Sequence, residues 1–184
     1  MKRFAWPLLV VASCGAPAPE PLRGDLSSVL ERGIRAGTAS FDHSPWDEIL
    51  SKYALENGRR FDYAGLKKEE GILRSYLGSL ADADLGNLSA PELEARFINA
   101  YNAYTIRTIL DRVSANGDFE IESIRDIEEV FTREAHGVGG FRLSLDNIEH
   151  NVLRPTFRDP RLHFAVNCAS ISCPPLPPDA FEGG

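Results

Sequence analysis

The residues best placed to do chemistry lie between Ser144 and Pro174. Cys168 falls in the run Asn167-Cys168-Ala169-Ser170, just past the end of a predicted strand, among side chains too small to cover a thiol. Exposed strand ends flanked by tight turns are places where nucleophiles are presented. On the segment that opens at Ser144, Asp146, His150 and Arg154 recur at four-residue steps, which puts them on one face of a helix. A carboxylate one turn before a histidine can hold the imidazole in one tautomer, as the orienting group of a nucleophilic triad does. One reading is therefore a thiol hydrolase or acyl/peptidyl transferase. Cys168 would be the nucleophile, His150 the base, and Asp146 or Glu149 the orienting carboxylate. Asn167 and nearby backbone N–H groups would be the oxyanion donors. Such a nucleophile should form its thiolate well below the pH of an ordinary thiol, because a neighbouring imidazolium favours the anion.

The same residues support blander readings. Cys168 and Cys173 enclose the four-residue stretch ASIS and could close a disulfide in an oxidising compartment. His163 alternates with Leu162 and Phe164 and reads as an ordinary strand histidine. The Asp146–His150–Arg154 stripe could be a solvated face with pairs worth a few tenths of a kcal/mol each. A zinc site from Cys168, Cys173, His163 and His150 would need an unusual ligand spacing, so no metal or cofactor is expected.

The amino terminus stands apart. Lys2 and Arg3 precede an apolar run from Phe4 to Ala12, the pattern of a secretory signal. The run ends Val11-Ala12-Ser13-Cys14-Gly15, which resembles a bacterial lipobox and makes Cys14 the expected lipid acceptor. Residues 1–13 are then the signal peptide, 14–24 a Pro/Gly-rich tether and 25–184 the folded domain. The expected destination is the cell envelope, with the acylated Cys14 in a membrane. In a host with two membranes, that means the periplasmic side of the outer one. With 27 Asp and Glu against 20 Lys and Arg, the surface should repel nucleic acid. The remaining partner would be an envelope substrate or protein.

The elements that must position the candidate residues are mostly helical. Helices are expected over 25–36, 46–57 with Gly58 as its stop, 66–80, 90–113 and 121–132. The 90–113 helix opens on a Ser89–Glu92 capping box and carries two amides, Asn99 and Asn102, on or beside its apolar stripe; buried, they must find partners. A hairpin over 130–144 turns at Gly137–Gly140. Ser144 caps a helix over 145–153, which Pro155 should stop. Residues 161–167 (RLHFAVN) alternate as a half-buried strand. The chain ends Phe181-Glu182-Gly183-Gly184 without a closing element, so a missing C-terminal segment and poor order over 174–184 are expected.

Five blocks carry a resemblance: FDYAGL (61–66), FINAYNAYTIRTIL (97–110), SIRDI (123–127), LSLDNIEHNVLR (143–154) and DPRLHFAVNCASISCPPL (159–176). Together they resemble the family catalogued as domain of unknown function 547, over about residues 45 to 184. The resemblance implies a fold and a Cys/His signature, with no established activity. Residues and resemblance together predict an α+β domain. Several helices would pack on a small antiparallel sheet made by the 130–144 hairpin and the 161–167 strand. A permuted papain- or transglutaminase-like arrangement is a further analogy.

Overall fold

The computed structural model describes residues 24–170 and 172–183, so the signal-like segment, Cys14 and the tether lie outside the described residues. Helix α1 (Gly24–Ala36) is followed by α2 (Ser44–Tyr53), β1 (Ala54–Leu55), β2 (Arg60–Phe61), α3 (Tyr63–Lys68), α4 (Gly71–Asp82) and α5 (Ala90–Leu110). Then come β3 (His136–Val138), β4 (Phe141–Leu143), a π-helix (Asn147–Leu153), α6 (Arg154–Phe157) and α7 (Leu162–Ala165). The class is the expected one, helices with small antiparallel ribbons. The strands form two separate pairs, β1 with β2 and β3 with β4.

Everything is organised around α5. Nearly every side chain from Glu92 to Leu110 is buried, so this is not a surface helix with one apolar stripe but a central one. Helices α1, α3 and α4 and the π-helix pack on it. Leu93, Phe97, Ala100, Ala103 and Leu110 share its core with Leu73, Leu80, Ile148 and Val152. Ser89 precedes the helix, but its side chain makes no capping bond. Glu92 instead accepts the backbone N–H of Phe41 at 3.2 Å, tying the 37–43 loop to the helix start.

Several expected elements are replaced for identifiable reasons. The expected 46–57 helix ends at Tyr53, and Gly58 serves a turn rather than a helix stop. At φ +79°, with the Leu176 carbonyl where a Cβ would stand, only glycine fits there. The 66–80 helix is split in two, with the break at Glu69 and Glu70. Over 121–132 the chain makes a single 3₁₀ turn, Ile124–Asp126, in which Asp126 accepts the N–H groups of Glu122 and Ser123. The left-handed Glu129 (φ +53°) follows shortly after. The hairpin is present but short, with Gly139 and Gly140 at positive φ in a two-residue turn. Their N–H groups donate to Leu80 and Ala81 at 2.9 and 2.7 Å, which caps the end of α4.

The predicted strand over 161–167 is instead the one-turn helix α7 followed by extended chain, and it joins no sheet. The 174–183 run is also pinned rather than loose. Leu176 is buried and donates its N–H to Gly58 at 3.0 Å, and the Ala180 N–H donates to Asp47.

Candidate functional site

Two asparagines of α5 hold the main chain before and after the cysteine loop. Asn102, 1% exposed, donates to the Ala165 carbonyl at 2.9 Å and accepts the Asn167 N–H at 2.8 Å. Asn99, 0% exposed and one turn earlier, donates to the Phe181 carbonyl at 2.7 Å and accepts the Phe181 N–H at 3.0 Å. Each amide acts as donor and acceptor to one stretch of main chain, much as a neighbouring strand would. That is why 165–167 needs no sheet: the alternation that reads as a strand is held by a side chain.

Asn167 then organises the loop itself. Its Oδ1 accepts the Ala169 N–H at 2.7 Å and its Nδ2 donates to the Pro174 carbonyl at 2.6 Å. The side chain expected as an oxyanion donor thus spends one amide hydrogen on closing the loop. Ala169 is held in the left-handed region at φ +60°, which costs about 1 kcal/mol or more for a residue with a Cβ. The Cys173 N–H donates to the Ser170 carbonyl at 2.9 Å.

These constraints bring Cys168 and Cys173 together, with their Sγ atoms 2.7 Å apart as two half-buried free thiols. Burial, and then the neighbouring thiol, push Cys168 up to about 11. This is the reverse of the thiolate-favouring environment expected of an imidazole-assisted nucleophile. The Tyr101 hydroxyl, pushed upward mainly by burial, lies within electrostatic reach of Glu149 and both thiols.

The other expected site residues lie on the segment after Ser144. Ser144 does cap it, its hydroxyl accepting the Asn147 N–H at 3.0 Å while Asn147 Oδ1 accepts the Ser144 N–H at 3.0 Å. The helix is wound as a π-helix, in which the Arg154 N–H reaches back to the Glu149 carbonyl. Wider winding shifts neighbours from four residues apart to five. Arg154 accordingly grips Glu149 Oε1 through Nε at 3.2 Å and Nη2 at 2.5 Å, not His150. Pro155, expected to stop the helix, does not: it lies in α6, which continues directly from the π-helix and ends at Phe157.

Asp146 is raised by burial, with His150 opposing and Glu149 adding to the rise. Among the described residues, no hydrogen bond joins Asp146 to His150 or His150 to Cys168. His163 is exposed and rests edge-on against Phe164 at 5.4 Å. Among the described residues, no group of three or more His, Cys, Asp or Glu is arranged to hold a metal ion.

Beside the cysteine loop, one helical turn back along α5, a cavity of about 510 Å³ opens between α5 and the 159–165 stretch. Ala95, Ile98, Leu162, Phe164 and Phe181 give it an apolar floor, and Glu94, Asp159, Arg161 and Glu182 form its rim. Arg161 is paired with Asp159 at 2.6 Å, so Glu94 and Glu182 leave the rim acidic. Sequence reasoning raised the amide pair as a burial problem, without assigning it a role, and missed Tyr101 and this cavity. The Asn-x-x-Asn spacing inside an apolar helix was the available signal.

An α+β domain whose helix-borne asparagine pair holds the main chain before and after a two-cysteine loop is thus the class of protein that fold and site define. Residues 85–183 match the family described as "Protein of unknown function, DUF547", and the chain belongs to that family. The matched range takes in four of the five sequence blocks; FDYAGL precedes it. No curated protein and no solved structure matches the chain.

Proposed function

We propose that this protein is a non-catalytic binding lipoprotein of the cell envelope whose Cys168–Cys173 pair closes as a disulfide. The observation that carries the reading is the 2.7 Å approach of the two sulfurs in a loop already fixed by Asn102 and Asn167. Closure there needs little movement, since an S–S bond is about 2.05 Å, and its two electrons and two protons would pass to a disulfide-exchange partner in the oxidising envelope. The raised Cys168 thiol and the lack of a hydrogen bond from His150 count against a nucleophile. The 510 Å³ cavity supplies a binding place of ordinary ligand size, with an apolar floor suited to an apolar body and an acidic rim suited to a positive end. Export and anchoring rest on Lys2, Arg3 and the Val11–Gly15 run.

Alkylation kinetics on the fully reduced protein test the chemistry. The binding reading expects Cys168 to react slowly with iodoacetamide at about pH 6, with no change on His150→Ala. A hydrolase would label Cys168 faster than Cys173 at that pH and lose the preference in H150A. For the anchor, the mature chain should begin at Cys14 and partition into detergent, and Cys14→Ala should leave an uncleaved precursor. A mature form starting at Ala16 or later would remove the lipid anchor from this reading.

A further inference from the structure

A second cavity, of about 340 Å³, lies on the far end of α5 between its last turn and the 127–136 stretch. Its lining is of opposite character to the acidic rim of the first: Arg107, Arg112, Arg133 and His136, with Thr108 and Asp111. The cations differ in how they are used. Arg107 is spoken for, paired with Asp111 and 3.6 Å from Glu70. Arg142, just outside, turns its guanidinium to the carbonyls of Glu134 and Ala135 at 3.4 and 3.3 Å. Arg112 and Arg133 have no hydrogen-bond or ion-pair partner for their guanidinium groups among the described residues. Arg112 is half-buried and Arg133 exposed, so both guanidiniums line one cavity and are available to an anion there.

The imidazole of His136 points the same way. His136 is 8% exposed, faces the cavity, and its ring nitrogens make no hydrogen bond among the described residues. Its ring is fixed by packing on Tyr104, with centroids 4.5 Å apart. Burial and the charges of Arg133 and Arg142 hold it down at about 4, so at neutral pH it offers a single uncharged N–H. The ring nitrogens keep some exposure to the cavity and make no protein hydrogen bond, so the N–H is open to a ligand there.

We propose that this cavity binds a phosphate group carried on a small organic body. Arg112 and Arg133 would neutralise the charge in forked contacts, and the Thr108 hydroxyl and His136 N–H would supply neutral hydrogen bonds. The volume is at the small end of ligand pockets, about 300–1,000 Å³, which suits a phosphate monoester or the headgroup of a phospholipid. This site shares no residue with the cysteine loop or the first cavity.

The test is a titration of the full chain with inorganic phosphate, followed by the imidazole NMR signals of His136 and by calorimetry. Saturable one-to-one binding that shifts His136 is expected. Affinity should fall about tenfold or more in the Arg112→Gln/Arg133→Gln double variant and stay unchanged in Arg35→Gln, an exposed arginine on α1. Thr108→Val should give a smaller loss, and it supplies a second reading if the double variant folds poorly. Bound phosphate displaced by phosphatidylglycerol vesicles would make a lipid headgroup the source, and displacement by phosphoethanolamine alone would make it a soluble ester. No saturable binding, or binding unchanged in R112Q/R133Q, overturns the proposal.

Discussion

Two polar regions are buried against α5, and they are satisfied very differently. On one side Asn99 and Asn102 each meet main chain as donor and acceptor, four hydrogen bonds from two side chains. On the other, Arg96 is 0% exposed with no carboxylate partner among the described residues. Its Nη2 donates to the Leu80 carbonyl and the guanidinium lies 4.1 Å over the Phe41 ring. Among the described residues Nε and Nη1 find no partner, nor do His43 Nε2 and Trp46 Nε1 nearby. Desolvation pulls Arg96 down to about 10. A buried polar group specifies structure when all its bonds are made, and is a burden when they are not. The amide side should therefore be the one whose loss dismantles the site.

The largest effect should come from Asn102→Leu. It strands the Ala165 carbonyl and the Asn167 N–H in the interior, and at 1–3 kcal/mol for each such group the loss should be about 4 kcal/mol in urea unfolding. Hydrogen exchange should show residues 165–173 losing protection first. An equal loss from Arg96→Met would erase the distinction between the two sides. Next in size is Cys173→Ser under oxidising conditions, about 2 kcal/mol, because the closed loop is short. Under reducing conditions the same substitution should cost far less.

Acid provides a third comparison, on the Arg96 side. His43 is buried, with Nδ1 2.7 Å from the Tyr76 hydroxyl, and burial followed by the Arg96 charge holds it at about 4. The folded value lies below the ordinary 6.5, so the unfolded chain takes up the proton first. Stability present above pH 6.5 is lost as pH falls toward 4, by about 1.5 kcal/mol once screening is allowed for. His43→Gln should flatten that part of the profile, leaving the share that His136 contributes in the same direction. Smallest is Arg96→Met, a loss of about 1 kcal/mol or less. It removes an underbonded charge, and the Leu80 carbonyl keeps the Gly139 N–H as a partner.

What could be read from the residues was whatever local pattern decides. The central helix, the burial question posed by Asn99 and Asn102, the Ser144 cap and the Gly139-Gly140 turn are of this kind. Residues 161–167 were not legible, because the strand-like alternation there has no neighbouring strand and Asn102 takes its place. Residues 121–132 carry helical spacing, but Asp126 turns back on Glu122 and Ser123, and Glu129 in the left-handed region breaks any continuation. The π winding after Ser144 moved Arg154 from His150 to Glu149, a shift that four-residue spacing could not reveal. The Cys168–Cys173 approach was legible as a possibility. Which use the pair serves depended on what surrounds it, and Tyr101 and Asn167 are contributed by elements distant in sequence or by the loop's own turns.

The measurement closest to the central claim is a count of free thiols on native protein purified without reductant, by alkylation and mass spectrometry of the peptides holding Cys168 and Cys173. The account predicts that neither cysteine labels until reductant is added, and that both label afterwards with equal stoichiometry. Two free thiols in the untreated protein, with Cys168 labelling first and His150→Ala abolishing its lead, would contradict it and return the site to catalysis.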